Sequence, residues 1–276
     1  MTAQVKDSLS DDDLLSLINL IKNIYGFDFS QYSKSSLKRR FERLLGIKQW
    51  TLVDLKTTIT NDPSFFDVLL REITVNVTEM FRDPAFYKSL SLNVLPYLDS
   101  YSRIKVWNAG VSSGQELYSF VILFSENGMF DKAFFYGTDI NTEVLEEAKN
   151  GIYSLIDMRS FANNYVKTDF QRAFSNYFTV GYHNSTIKSQ LKKNTHFSIH
   201  NLLSDGVFNE FQLISCRNVL IYFEVELQAK VIELFIDSLC LFGFLCLGSK
   251  EAVRSKELLS RLKVIDSKQN IYQRIK

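Results

Sequence analysis

The stretch WNAGVSSGQELYSF, residues 107–120, combines residue types that could bind a ligand beyond the end of a strand. Small apolar residues lead into Gly110, a second glycine follows at position 114, and Glu116 comes just before apolar residues resume. Glycine permits a tight turn and a close approach of the main chain to a ligand. We therefore expect a strand, a glycine turn, and a helix whose first turn carries a carboxylate.

A second acidic residue, Asp139, ends the apolar segment AFFYGTDI, 25 residues after Gly114. In open parallel sheets, ligands bind beyond the C-terminal ends of the strands, and an acidic residue after the second strand commonly binds ribose hydroxyls. The glycine turn and Asp139 together predict a site for a nucleoside-bearing cofactor. A glycine turn by itself is also compatible with a tight turn that has no ligand.

The position of Glu116 narrows the choice of cofactor. The turn does not match GxGxxG, and GxxxxGK[ST] does not occur in the sequence. A dinucleotide enzyme needs bare N–H groups at the helix start for its pyrophosphate, and a carboxylate there argues against NAD and ATP. It fits a cofactor that carries an ammonium group, such as S-adenosylmethionine.

Strand-like and helix-like segments alternate after about residue 100, with short loops between them. This pattern predicts a parallel, doubly wound sheet. We expect the last segment, 261–276, to add an antiparallel pair at the sheet edge. The predicted strands are 103–110, 133–140, 211–216 and 243–249, and the predicted helices are 115–128, 141–151 and 224–240.

Residues 10–73 show helical spacing of apolar residues without strand-like alternation. Ser10 and Asp13 form a variant of the capping box. A second helix is predicted over Ser36–Leu45, ending at Gly46, with two more starting near Thr51 and after Ser64. We predict a helical N-terminal domain over 1–75 and an α/β domain over 76–276.

Residues 154–193 are too long for an ordinary loop and are predicted to be an insertion with some structure of its own. They contain six basic and two acidic residues. Whether they tether a partner is left open.

Composition excludes several classes of function. The formal net charge of +1 gives no global attraction to nucleic acid or to a membrane surface. Three cysteines in apolar runs indicate buried thiols rather than a disulfide framework. His196 and His200 alternate like strand residues, and we expect no metal site. With no signal pattern and no long apolar segment, the sequence predicts a cytoplasmic monomer.

Six motifs in fixed order resemble the CheR family, the S-adenosylmethionine-dependent methyltransferases that esterify glutamates on bacterial chemoreceptors. The family pattern runs TTNxTxFFR, CSTGEEPYS, TDID, NLL, CRNVxIYF and G-SE, and the resemblance covers nearly the whole chain. It implies a Rossmann-like class I methyltransferase domain preceded by a small all-helical domain. The corresponding stretches here are ITVNVTEMFRDPAFY (73–87), VWNAGVSSGQELYS (106–119), TDINTEVLEEAKNGIY (138–153), NLL (201–203), CRNVLIYF (216–223) and GSKEAV (248–253).

The resemblance also implies the roles of individual residues. Arg82 and Tyr222 fall on positions near the methyl-transfer centre, although Arg82 could instead form a helix-end salt bridge and Tyr222 could be a core residue. This sequence departs from the family pattern at Met80, Gln115, Leu117 and Lys250. Cofactor contacts are expected at Asn76, Thr78, Arg82, Gly110, Glu116, Asp139, Asn201, Leu202, Asn218 and Val219.

A carboxylate acceptor needs no general base, because it is already ionised at pH 7. On the second helix, Arg39, Arg40 and Arg43 are predicted to face solvent opposite the apolar residues, where they could dock an acidic helical bundle or be a plain solvated face. Two other functions stay open: a methyltransferase with a small-molecule or RNA acceptor, and a non-catalytic module that senses S-adenosylmethionine and binds a partner.

Overall fold

The computed structural model describes residues 9–74 and 76–276. Residues 1–8 and Val75, which belong to the predicted helical domain, lie outside the described residues. The chain divides into two compact units. One comprises Met1–Val75 together with Ile221–Leu227, and the other comprises Asn76–Leu220 together with Gln228–Lys276.

The first unit is helical, as expected. The capping box at Ser10 is confirmed: its hydroxyl accepts from the Asp13 N–H at 3.1 Å, and the Asp13 carboxylate accepts from the Ser10 N–H at 3.2 Å. A second capping box joins Thr51 and Asp54. The helices are α1 Asp11–Tyr25, α2 Lys34–Lys48, α3 Leu52–Asn61 and α4 Phe65–Ile73.

The predicted end of α2 at Gly46 is wrong. The helix continues to Lys48 and ends at Gln49, which has a φ of 56°. A glycine inside a helix costs only about 1 kcal/mol, and the buried side chains Leu37 and Phe41 hold this helix through its apolar face. One unfavourable residue therefore does not end the helix.

The second unit is built on a seven-stranded sheet in the order β6-β2-β1-β7-β8-β10-β9. The first five of these run parallel, while β10 pairs antiparallel with both β8 and β9. The predicted α/β fold class and the antiparallel pair at the edge are confirmed. The strands are β1 Ile104–Ala109, β2 Ala133–Asp139, β6 Thr195–Ile199, β7 Phe211–Cys216, β8 Leu239–Leu247, β9 Leu262–Asp266 and β10 Ile271–Arg274.

The order of the strands defines where a ligand site can form. From β1 the chain adds β2 and then β6 on one side, and it returns to place β7 on the other side of β1. The switch point therefore lies at the C-terminal ends of β1 and β7, where ligands bind in such sheets. The accompanying helices are α5 Pro84–Asn93, α6 Leu95–Leu98, α7 Gln115–Glu126, α8 Thr142–Asn150, α11 Val225–Ser238 and α12 Lys256–Ser260.

The region predicted as an insertion forms a small antiparallel sheet in the order β3-β5-β4. Glu126 at the end of α7 accepts hydrogen bonds from the hydroxyls of Tyr165 (3.0 Å) and Tyr177, which ties this region to the helix. Its elements are β3 Ile152–Ser154, α9 Leu155–Val166, β4 Phe178–Val180, β5 Asn184–Ile187 and α10 Ser189–Lys192. Among the described residues, no helix is both long and apolar enough to cross a membrane.

Candidate active site

The glycine turn after β1 is fixed to the end of β2 by main-chain hydrogen bonds. The N–H groups of Gly110 and Val111 both donate to the Thr138 carbonyl, at 2.8 and 2.9 Å. The next N–H, that of Ser112, donates to the Asp139 carboxylate at 2.9 Å. The two segments that the sequence singled out are therefore held together in one arrangement.

Both glycines of the turn occupy conformations that favour glycine. Gly110 has a φ of 70°, and a Cβ there would lie 2.4 Å from Cγ2 of Val219. Gly114 has a φ of 90°, and a Cβ there would lie 3.0 Å from that of Ala148. Gly110 therefore packs closely against Val219, which is also one of the residues predicted to contact the cofactor.

Asp139 lies at the C-terminal end of β2, half-buried. Burial raises the pKa of its carboxyl group, and hydrogen bonds from the N–H groups of Ser112, Asn141 and Ile140 offset part of that rise. The Asn141 N–H donates at 3.1 Å. A carboxylate offers about four acceptor positions, so acceptor capacity is left for hydroxyl groups of a ligand.

Glu116 lies in the first turn of α7, as expected, with 17% of its side chain exposed. One carboxylate oxygen accepts from the Asn108 amide at 3.1 Å and from the Ser215 hydroxyl at 2.7 Å. The other oxygen accepts from Nη1 of Arg217 at 3.2 Å. Three of about four acceptor positions are occupied, and the fourth is free for a cationic donor.

Arg217 belongs to the CRNV motif, but its role was missed from the sequence. Only 2% of its side chain is exposed, and its Nη2 pairs with Asp83 at 2.7 Å. Its guanidinium lies 4.0 Å from the ring centroid of Phe86. Burial lowers the pKa of Arg217, but the nearby charges of Glu116 and Asp83 outweigh that effect and raise it. One guanidinium thus faces two carboxylates, which leaves one negative charge uncompensated.

The segment that follows Val75 is fixed at several points to the sheet unit. The Asn76 carbonyl accepts from the Ser112 hydroxyl at 3.0 Å, and the Phe81 N–H donates to the Ser119 hydroxyl at 2.9 Å. Thr78 lies between these two points, Arg82 lies between the second point and the start of α5, and both residues are half-buried. Among the residues that the structure describes, no ion pair holds the Arg82 guanidinium.

The loops after β6 and β7 supply four more predicted residues. Asn201 forms a turn in which its N–H donates to Asp205 at 2.8 Å, and Leu202 lies half-buried within that turn. Asn218, half-buried beside Val219, has a φ of 64°.

Glu251, in the GSKE motif, is a second residue that sequence reasoning missed. It is 4% exposed, and its Oε2 accepts from the N–H groups of Asn218 (2.9 Å) and Gly248 (2.6 Å). A buried carboxylate thus fixes the loop that follows β7. The carboxylate in that motif was the signal that could have found it.

Tyr222 belongs to the segment Ile221–Leu227, which groups with the helical unit, whereas the other residues expected to contact the cofactor belong to the sheet unit. Its carbonyl accepts from the Ser33 N–H at 2.8 Å, within the helical unit. The departures from the family pattern at Met80, Gln115 and Leu117 are buried, and Lys250 is exposed.

Of the three arginines predicted to face solvent on α2, Arg39 and Arg43 are exposed. The prediction for Arg40 is wrong, because it is half-buried and its Nε is enclosed. At 100° per residue, Arg40 lies only about 60° from Leu37, on the flank of the apolar face.

A glycine turn joined to an acidic strand end, at the switch point of a Rossmann-like sheet, is the arrangement in which nucleoside-bearing cofactors bind. The sequence profile "CheR methyltransferase, SAM binding domain" matches residues 76–270, and "CheR methyltransferase, all-alpha domain" matches residues 12–74. This chain belongs to the CheR methyltransferase family. The predicted family, enzyme class and cofactor, S-adenosylmethionine, are confirmed.

Curated relatives agree with this assignment. A Pseudomonas putida protein that carries the name methyltransferase Cher3 is 41% identical over 268 residues, 96% of this chain and 97% of that protein. The chemotaxis protein methyltransferase of Listeria monocytogenes is 29% identical over 88% of this chain and 91% of its own length. The chemotaxis protein methyltransferase of Borreliella burgdorferi is 28% identical over 95% of this chain and 96% of its own length.

Proposed function

We propose that this enzyme transfers a methyl group from S-adenosylmethionine to glutamate side chains of a chemoreceptor-like helical protein. The observation that carries the proposal is Arg82. The residue is half-buried and its guanidinium has no ion-pair partner among the described residues, although its segment is fixed by hydrogen bonds to Ser112 and Ser119. Buried charges are normally paired, and an acceptor carboxylate would complete this one.

The residues present fit the cofactor. The free acceptor position on Glu116 suits an ammonium group, and the carboxylate of Asp139 suits ribose hydroxyls. Gly110 lets the turn pack directly against Val219, because a Cβ at this position would lie 2.4 Å from Cγ2 of Val219. When bound, S-adenosylmethionine supplies an electrophilic methyl group on a sulfonium. We assign the remaining contacts to Asn76, Thr78, Asn201, Leu202, Asn218 and Val219.

For methyl transfer to a carboxylate, the main contribution of the protein is to align the reacting atoms. An ionised carboxylate oxygen displaces the sulfur in line, so the site must hold oxygen, methyl carbon and sulfur in register. In this proposal Arg82 aims the acceptor carboxylate, because a planar fork matches its two oxygens better than an ammonium does. We also assign Tyr222 to the reaction, as the family resemblance implies.

The substrate is proposed to bind through the exposed arginines of α2, Arg39 and Arg43, with Arg40 at the flank. A helical bundle rich in carboxylates would complement this face. The relatives named chemotaxis protein methyltransferase support a chemoreceptor as the target. We place the reaction in the cytoplasm, where the free thiols Cys216, Cys240 and Cys246 stay reduced.

Methyl-labelled S-adenosylmethionine and membranes from the source cell test the proposal directly. We expect labelled protein whose label is released as methanol in alkali, because the product is an ester. Arg82→Lys and Arg82→Ala should lower kcat about 100-fold, the order of magnitude for lost alignment, while S-adenosylhomocysteine binding falls less. Tyr222→Phe should have a smaller effect, and Arg103→Ala, at an exposed position, serves as the control.

Each contrary outcome has a distinct meaning. An alkali-stable product would place the methyl group on nitrogen or carbon and refute the carboxylate acceptor. Label that appears only in small molecules would favour a small-molecule acceptor. Tight cofactor binding with no transfer would favour a sensing module. Full turnover in Arg82→Ala would remove Arg82 from the reaction.

A further inference from the structure

Arg217 is a buried charged residue of the candidate site, with 2% of its side chain exposed, and it contacts both Glu116 and the segment that carries Arg82. It contacts Glu116, which is assigned to the cofactor, at 3.2 Å, and its Nη1 also lies 3.4 Å from the carbonyl of Arg82. Its Nη2 pairs with Asp83, the next residue along that segment, at 2.7 Å. One planar group thus joins the cofactor side to the segment that carries Arg82.

An aromatic ring and two carboxylates contact this guanidinium. It lies over the Phe86 ring, and two of its nitrogens are directed to different partners. Its two carboxylate partners differ in exposure: Glu116 is 17% exposed, whereas Asp83 is 42% exposed and lines a cavity of about 270 Å³ together with Arg217. The guanidinium therefore lies between the half-buried carboxylate of Glu116 and the more exposed carboxylate of Asp83.

The main chain around Arg82 needs such an anchor. Phe81 and Asp83 both have positive φ values, 54° and 59°, on either side of Arg82. Non-glycine residues adopt this region only at a cost, so the surrounding contacts must hold it. The Asp83–Arg217 pair and the Phe81–Ser119 hydrogen bond are the contacts that flank Arg82.

We propose that Arg217 is a positioning residue that couples occupation of the Glu116 site to the conformation of the segment carrying Arg82. The inference rests on the proposed function, because it takes Glu116 as the ammonium contact and Arg82 as the acceptor contact. A ligand cation that binds Glu116 weakens the electrostatic attraction between that carboxylate and Arg217. The guanidinium then pairs more strongly with Asp83 and fixes Arg82.

Amide hydrogen exchange with S-adenosylhomocysteine tests this coupling without any turnover. In the wild-type protein, the ligand should slow exchange both in the glycine turn, 110–116, and in the segment 80–86. In Arg217→Lys, which keeps the charge but loses the fork, protection should remain in the turn and fall at least threefold in the segment. Arg261→Lys disrupts another arginine–carboxylate pair, with Asp237, and should leave both protections unchanged.

Turnover supplies a second measurement. We expect Arg217→Lys to lower kcat at least tenfold while the Kd for S-adenosylhomocysteine changes less than threefold. Equal loss of kcat and affinity, or unchanged protection in segment 80–86, would overturn the proposal and leave Arg217 a purely structural residue. If Arg217→Lys does not fold, Asp83→Asn, which removes the charge of the exposed partner, should uncouple the same two segments.

The two proposals fail in different ways. Alkali lability of the product reports on the acceptor, and the ratio of kcat values between variants reports on Arg217 whatever the acceptor is. An alkali-stable product with lost coupling in Arg217→Lys would refute the carboxylate acceptor and keep the positioning role. An ester product with intact coupling would do the reverse.

Discussion

Replacing Gly110 by alanine tests how the glycine turn is built. Gly110 has a φ of 70°, and an added Cβ would lie 2.4 Å from Cγ2 of Val219, against an ordinary contact distance of 3.4–4 Å. The left-handed conformation costs an alanine about 1–2 kcal/mol. Relief of the overlap, by rotation of Val219 or movement of the turn, costs about 1–3 kcal/mol more. We therefore expect a loss of about 2–5 kcal/mol in the free energy of unfolding.

Gly128 is a matched control for this substitution. Its φ is also 70°, and no atom lies within 4 Å of an added Cβ. Gly128→Ala should therefore lose only the backbone contribution, about 1–2 kcal/mol. Urea denaturation measures both losses, and calorimetry with S-adenosylhomocysteine should show weakened binding only for Gly110→Ala, because only that turn lies in the candidate site.

A double variant separates the overlap from other effects. Adding Val219→Ala to Gly110→Ala should relieve the steric overlap, because it removes the methyl group that the added Cβ meets. The double variant should therefore lose about 1–3 kcal/mol less in the free energy of unfolding than the sum of the two single variants. Strict additivity, or a loss in Gly110→Ala no larger than that in Gly128→Ala, would refute the packing of Val219 on the turn. Affinity that stays at the wild-type value in Gly110→Ala would show that the turn does not contact the cofactor.

Three further predictions concern charged residues. Because burial raises the folded-state pKa of Asp139, ionisation of this carboxyl group lowers the free energy of unfolding as the pH rises. Urea denaturation between pH 4 and 7 should therefore show Asp139→Asn gaining stability relative to wild type with increasing pH. Calorimetry should show weaker S-adenosylhomocysteine binding for the same variant. Glu251→Ala leaves two N–H groups without their acceptor and should lose about 2–5 kcal/mol by urea denaturation, whereas equal stability would mean that water replaces the carboxylate. The double variant Arg39→Glu, Arg43→Glu should raise KM for the protein substrate without changing cofactor affinity. The double variant Lys34→Glu, Lys48→Glu on the same helix is the control. Equal effects of the two double variants would indicate a plain solvated face.

The elements that position the site could be predicted because each has a local signal. Alternation and apolar runs indicated the strands, and the pair Ser10/Asp13 marked the start of the first helix. Charge alone misplaces Arg40, because its angular position, about 60° from Leu37 around the helix axis, puts it on the flank of the apolar face and decides its burial. The end of α2 was placed wrongly because packing of its apolar face outweighs the cost of one glycine.

Arg217 could not be assigned from local pattern because its partners are distant in sequence, and one of the two N–H partners of Glu251 is distant as well. Asp83 lies 134 residues before Arg217, and Asn218 lies 33 residues before Glu251. A signal was nevertheless present for Arg217. A charged residue between the apolar runs FQLISC and VLIYF must find partners if it is buried. The same reasoning applies to its polar neighbour Asn218.

The charge of the Arg217 cluster matches the chemistry that the family performs. Two carboxylates and one guanidinium leave one negative charge, and the cofactor, with its sulfonium, ammonium and carboxylate groups, carries a net positive charge. Transfer of the methyl group removes the sulfonium charge, so the product S-adenosylhomocysteine is neutral overall. The electrostatic attraction is therefore stronger for the substrate than for the product, and Glu116→Gln, which neutralises the cluster, should reduce that preference. Competitive calorimetry at low salt measures it, and an unchanged ratio of the two affinities would show that the cluster charge does not reach the cofactor.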